Sequence, residues 1–291
     1  MKQRVPQGSV LGPLLFIIYI YDLPMSVKHV SKAVSHADYT SVVVTGKDHD
    51  SFKQKTNLVL TNPNQWFYIN QLVLNIIKTN VIKFTPKTTA HIPLDIYYKD
   101  NVIDEVKSTK FLGMHIHNHM NWKNHVEQFL PKLSAACFSI RNLLHTLNPD
   151  ILRMDFFAYF HSVLQYGIIF WANSAHAHQV FKLQKRVVRV MSGVGPKSSC
   201  RSSFRKRNIL PIACQYILPL MLFIVDNQKD FFTDAYVHGL DTRNKNHLCL
   251  PVVSLSCVQK GVSYSGVQIF NSLPSNIQSY RNDRKRFKNN S

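Results

Sequence analysis

Residues 4 to 21 restrict the fold of this chain more than any other stretch. Arg4-Val5-Pro6-Gln7-Gly8-Ser9-Val10-Leu11-Gly12-Pro13 is punctuated by proline and glycine, and it runs into an apolar segment that ends at Tyr21. Pro6, Gly8 and Gly12 allow a tight turn and a close approach of backbone to a ligand. Ser9 is placed to cap a helix on which Leu11, Leu14, Leu15 and Ile18 share helical spacing. Further on, Asp38 stands as a lone acid in an apolar and β-branched run, with Ala33-Val34 before it and Ser41-Val42-Val43-Val44 after it. That pattern predicts a β-hairpin with Asp38 at its tip.

Charge narrows the choice of partner. The 291 residues carry 35 Lys and Arg against 16 Asp and Glu, a formal charge of +19. An excess of that size calls for a polyanion, with nucleic acid first and an anionic membrane surface second. A hydrophobic fraction of 45% with 18% charged residues is that of a folding chain. Five cysteines, an odd number with no C-x-x-C spacing, argue against a disulfide framework and a zinc knuckle. They read as reduced thiols of an intracellular protein. Lys2 and Arg4 ahead of the apolar run imitate a signal peptide, but Pro6, Gly8, Gly12 and Pro13 interrupt it and no small-residue cleavage site follows. The other long apolar run, 209–225, is broken by two prolines and Gln215 and is short for a membrane span. No membrane partner is expected.

Along the chain, the spacing predicts a helix over 48–71 with Phe52, Leu58, Val59 and Trp66 buried. Short strands are expected at 81–84, 94–98, 101–103 and 110–116, with a hairpin turn at Lys99-Asp100-Asn101. Helices are expected at 126–144, 149–170 and 177–191, the first two separated by Asn148-Pro149. In the third, Lys182, Lys185, Arg186 and Arg189 follow i, i+3, i+4, i+7 spacing, opposite an apolar face of Val180, Leu183, Val187 and Val190. Such a stripe fits phosphate contacts, and it also fits a solvated face. His115, His117, His119 and His125 could imitate a metal site, but no acidic or cysteine partner is near them in sequence.

Taken together, these motifs resemble the reverse transcriptase of non-LTR (LINE-like, jockey-type) retrotransposons. Pro6 to Phe16 match that family's V-P-Q-G-S-V-L-G-P-L-L-F segment nearly letter for letter, and Tyr21-Asp22-Leu23 follows where relatives have Asn-Asp-Leu. Trp66-Phe67-Tyr68-Ile69-Asn70 to Lys78-Thr79 resembles W-F-x-x-N-x-L-x-L-N-x-x-K-T. Lys110-Phe111-Leu112-Gly113 resembles K-F-L-G, and Tyr166-Gly167 with Trp171 resembles Y-G-x-x-x-W. The departure is at the hairpin. Relatives read F-A-D-D-T, and here Asp38 keeps the first aspartate while Tyr39 replaces the second.

The resemblance implies an α+β fold: a partial polymerase palm over 1–120, a helical thumb over 121–195 and a C-terminal extension over 196–291. It implies that Pro6, Gln7, Gly8, Ser9 and Lys78 lie on the template and nucleotide side. Phe111, Leu112 and Gly113 would form a primer-grip element, and Lys182, Lys185, Arg186 and Arg189 a nucleic-acid-binding stripe. Asp38 would be the remnant catalytic metal ligand. The family uses Mg²⁺, which two-metal nucleotidyl transfer holds between carboxylates as a pair of ions about 4 Å apart. With Tyr39 in place of an aspartate and no upstream aspartate strand in the sequence, productive binding is not expected. The expectation is a truncated, degenerate RNA-directed DNA polymerase, inactive alone. Its partners would be an RNA template and DNA primer, an RNA–DNA duplex, or an intact polymerase chain. The alternatives are a non-catalytic RNA- or DNA-binding scaffold and a non-functional pseudogene product.

Overall fold

The computed structural model describes residues 8–37, 39–90, 92–239 and 245–290. Pro6, Gln7 and Asp38 lie outside the described residues. The fold is α+β, helices with short strands, and the chain forms two units: Met1–Lys83 with Thr88–Thr109, and Phe84–Lys87 with Lys110–Ser291.

In the first unit, α1 (Leu11–Tyr19) is the apolar helix expected from its spacing, yet none of its residues is buried. Val10 stands at its N-cap with no side-chain cap, so Ser9 does not have the capping role its position suggested. Burial comes just after the helix, at Ile20, Leu23 and Val27. β1 (Lys32–His36) and β2 (Tyr39–Val43) form the expected antiparallel hairpin, in register from Lys32 opposite Val43 to His36 opposite Tyr39. α2 (His49–Ile69) starts where Asp48 accepts a hydrogen bond from the Ser51 N–H at 2.7 Å. Val59 and Pro63 are buried on it, whereas Leu58 faces solvent.

The remaining strands of this unit are shorter than their sequence patterns. β3 (Asn80–Val81) pairs in parallel with β6 (Asp104–Glu105), and β4 (Tyr97–Tyr98) pairs antiparallel with β5 (Asn101–Val102) across the expected turn, where Lys99 has φ +53°. Alternation at Leu94, Ile96 and Tyr98 turns these residues to one side. With Ile103 they form a small core against Phe52, Leu60, Leu74, Ile76 and Val81.

β7 (Ser108–Phe111) carries the chain into the second unit, where it pairs with β8 (Met114–His117). The segment 110–116 is therefore a hairpin and not one strand, because Leu112 and Gly113 both take positive φ, +44° and +81°. Helices follow: α3 (Lys123–Leu143), α4 (Pro149–Asp155), α5 (Ser162–Gln165), α6 (Ile168–Trp171) and α7 (Ala177–Ser192). Asn148 caps α4 by accepting from the Ile151 N–H at 2.9 Å, with Pro149 in the first turn, as the Asn-Pro pair implied.

The helix expected over 149–170 is divided. A π-helical stretch, Phe156–His161, sits between α4 and α5, and Gly167 at φ +59° separates α5 from α6. The wider π turn keeps Phe156, Phe160 and Leu164 all fully buried, with the two phenyl rings stacked at 5.3 Å.

Beyond α7 come α8 (Arg201–Lys206), α9 (Ile212–Asp226), α10 (Asp234–His238), α11 (Ser256–Gln259), α12 (Val262–Asn271), α13 (Ser275–Gln278) and α14 (Arg284–Asn290). One hydrophobic cluster runs from Val126 on α3 to Phe287 on α14 and contains Trp171, Val187 and Leu220. Gln184 on α7 is wholly buried inside it. Its amide donates to the Leu210 carbonyl and accepts from the Ile212 N–H, both at 2.9 Å, so both ends of the side chain are satisfied. Among the described residues no helix is long and apolar enough to cross a membrane.

Candidate nucleic-acid interface

The basic helix α7 has two faces, as its spacing requires. Val180, Gln184, Val187, Val188 and Met191 are buried, while Leu183 and Val190 are only half-buried, so the inward face is turned slightly from the one expected. Of the four basic residues, Lys182 and Arg186 are exposed and have no ion pair among the described residues. Lys185 holds its ammonium 4.7 Å from the centre of the Phe181 ring. Arg189 donates from Nε to the Ser198 carbonyl at 2.9 Å, closing the turn after the helix. Two cations are thus free for a ligand and two also serve the fold.

α8 extends the basic surface. Phe181 on α7 and Phe204 on α8 stack at 6.5 Å, and Arg201, Arg205 and Lys206 on α8 are exposed. From Asp155 to Asp226 the intervening sequence has no acidic residue, while Lys182, Lys185, Arg186, Arg189, Lys197, Arg201, Arg205, Lys206 and Arg207 fall within it. Along this stretch of chain positive charge collects with no acid between, and such an excess favours phosphate. This acid-free interval was readable in the sequence, and a search for helical stripes passes over it. Arg207 is spent on the fold: its guanidinium donates to the carbonyls of Pro149 and Met191.

The turn at Phe111-Leu112-Gly113 is not an open edge. The Tyr166 hydroxyl donates to the Leu112 carbonyl, and a Cβ on Gly113 would come within 3.2 Å of the Tyr166 ring. On the other side, a Cβ on Gly167 would lie 2.6 Å from the Met114 sulfur. The two motifs, more than fifty residues apart, clasp each other, and each glycine makes room for the other motif's side chain. Tyr166 is thus the side chain that packs on Gly113 within the fold.

The histidines nearby are engaged in backbone bonds. His125 is buried among Trp122, Phe129 and Trp171, and its Nδ1 accepts from the His115 N–H at 3.4 Å. Burial, then the charge of His115, pulls its pKa down to about 4. His117 Nδ1 accepts from the His119 N–H at 3.2 Å, and His119 Nδ1 lies 2.9 Å from the Thr85 carbonyl. Among the described residues these side chains form no three-donor metal group.

In the first unit, the hairpin presents Tyr39 at the start of β2 with 60% of its surface exposed. Gly8, at φ +87°, and the half-buried Ser9 precede α1. The Tyr19 hydroxyl at the far end of that helix donates to the Asn70 carbonyl, tying the first motif to the Trp66-Phe67 motif. Lys78 is exposed at the end of a 3₁₀ turn, Ile76–Lys78, capped by Asn75.

This chain is similar to two proteins of Drosophila melanogaster, a probable RNA-directed DNA polymerase from transposon BS and a probable RNA-directed DNA polymerase from transposon X-element. Identity is 26% over 203 residues and 25% over 201 residues, covering 66% and 65% of this chain. The matched region amounts to 22% of each relative, so the chain spans less than a quarter of their length. No family model matches the chain, and no solved structure matches it. Over the matched stretch the chain is reverse-transcriptase-like.

Proposed function

We propose that this chain binds RNA or an RNA–DNA duplex through α7 and α8, and that it does not extend a primer by itself. The observation that carries the reading is the acid-free interval between Asp155 and Asp226, with Lys182 and Arg186 exposed and unpaired on a helix whose other face is locked in the core. Similarity to RNA-directed DNA polymerases supplies the class of polyanion. In this reading residues 1–120 correspond to palm, 121–195 to thumb and 196–291 to an extension. Pro6, Gln7, Gly8, Ser9 and Lys78 stand on the nucleotide side, and Phe111, Leu112 and Gly113 on the primer side.

Binding is expected to be independent of sequence and to weaken steeply with salt, because each neutralised phosphate releases counterions. Replacing Lys182 and Arg186 together by Gln should flatten the log–log salt slope by about 2, roughly one for each lost phosphate contact. Lys185→Gln should change it less, since that ammonium rests on Phe181. Fluorescence anisotropy of a labelled RNA–DNA duplex across a salt series reads this directly. A slope left unchanged in the double variant would make α7 a solvated face and end the proposal.

The Mg²⁺ of the polymerase reaction does not fit the residues at the hairpin. A hard dication there needs a carboxylate pair, and Tyr39 offers a phenol. No labelled nucleotide should therefore be added to a DNA primer on an RNA template with Mg²⁺ or Mn²⁺. Metal-dependent extension by the unmodified chain, abolished by Asp38→Ala, would sink this part of the reading.

A further inference from the structure

Asp234, His238 and Cys249 bring a carboxylate oxygen, an imidazole nitrogen and a thiol sulfur within 4.8 Å of one another. Neither the hairpin nor the basic helices involve these residues. Asp234 and His238 are four apart on α10 and so share one side of it. Thr233 caps the start of α10, and Gly239 at φ +65° closes its end. Cys249 comes from a separate extended segment. Backbone bonds hold that segment against α10: the Asp234 N–H donates to the His247 carbonyl at 2.9 Å, and the Cys249 N–H donates to the Phe232 carbonyl at 2.8 Å.

Between these bonds, Thr233 and Leu248 form a β-bridge. Leu248 is buried and is gripped on both sides of its peptide by Asn271. Its N–H donates to Asn271 Oδ1 and its carbonyl accepts from Nδ2, each at 2.9 Å. The core helix α12 thereby fixes the backbone next to Cys249, and the donors converge before any ligand arrives. The Cys249 sulfur already lies 3.9 Å from His238 Nε2. Ligand atoms on one tetrahedral zinc ion, bonded at about 2.0–2.3 Å, stand roughly 3.3–3.8 Å apart. The difference is of side-chain scale, and His238 is exposed while Cys249 is half-buried.

We propose that Asp234, His238 and Cys249 bind a zinc-class divalent cation, with a water in the fourth position. The donor set decides the metal. A thiolate and an imidazole suit a borderline-soft ion, whereas Mg²⁺ takes oxygen ligands almost alone. The ion would clip α10 to the segment pinned by Asn271, a structural role independent of nucleic-acid binding.

The test is titration of Co²⁺ into the reduced, chelator-treated full chain. The expected result is one equivalent bound, with the thiolate-to-cobalt absorption and the intense visible bands of a tetrahedral site, both bleached by Zn²⁺. Cys249→Ser should abolish the thiolate band, and His238→Ala should weaken binding by more than tenfold. Cys214→Ser and Cys257→Ser should leave it intact. Because a variant can fail for lack of folding, far-ultraviolet circular dichroism accompanies each. As a second readout, Zn²⁺ should raise the Tm of the unmodified chain and not that of Asp234→Asn. Absence of any thiolate band, or a band that survives Cys249→Ser and disappears with another cysteine, overturns the site.

Discussion

Trp171→Ala is expected to lower the stability of the second unit by about 3–5 kcal/mol, the range for removing a large buried aromatic. Trp171 is fully buried and packs 4.9 Å from Phe129, centre to centre. Its indole N–H donates to the Tyr166 carbonyl at 3.0 Å. Alanine leaves both a cavity and a carbonyl without its donor, and the second loss alone costs about 1–3 kcal/mol. The carbonyl belongs to the same Tyr166 whose hydroxyl holds Leu112, so the β7–β8 turn should loosen as well. Against a typical total of about 5–15 kcal/mol, this places the variant near the edge of folding. Trp171→Phe should recover most of the packing and none of the hydrogen bond. Urea unfolding followed by circular dichroism separates the three proteins. A Trp171→Ala midpoint indistinguishable from the unmodified chain would mean that the aromatic cluster is not the keystone of this unit.

Acid should destabilise the same cluster by up to about 3 kcal/mol. His125 ordinarily titrates at 6.5, and burial followed by the charge of His115 brings it to about 4 in the folded chain. Below 6.5 the unfolded state takes up a proton that the folded state refuses until about 4. The stability contributed by neutral His125 is therefore complete above pH 6.5 and is lost as pH falls from 6.5 to 4. Geometry gives the same sign: Nδ1 accepts from the His115 N–H, and a proton there would set two donors against each other. Burial also lowers the pKa of His161, which lies against Phe156 and Phe157, and adds to the effect in the same direction. His125→Phe should cost stability at neutral pH, yet flatten the pH dependence between 6.5 and 4.5. Urea midpoints across that range decide it, and an equally steep acid loss in His125→Phe would assign the sensitivity to other groups.

Much of this molecule was legible in short stretches of sequence. Apolar spacing located α2, α3 and α7, and Asn148-Pro149 marked the start of α4. A lone acid inside an apolar and β-branched run located the β1–β2 hairpin, and the Lys-Asp-Asn turn located the one between β4 and β5. The basic excess and the stripe on α7 were visible too, because charge and helical period are local properties. Asp38, on which the catalytic reading turned, lies outside the described residues, so its part in the site rests on sequence alone.

Tertiary structure decided what each of those pieces is used for. Arg189 belongs to the basic stripe in sequence, and its Nε also closes the turn at the Ser198 carbonyl, while Arg207 donates to the carbonyls of Pro149 and Met191. Gln184 looks like a surface residue and is the buried link between α7 and the start of α9. Gly113 and Gly167 are needed for each other's motif, and Asp234, His238 and Cys249 converge only because Asn271 holds the intervening leucine. The physical reason is range. Helical period, turn chemistry and charge act within a few residues and survive in any fold that keeps them. A buried hydrogen bond or a set of metal donors depends on partners tens of residues away, and it exists only after the core has brought them within about 3–5 Å.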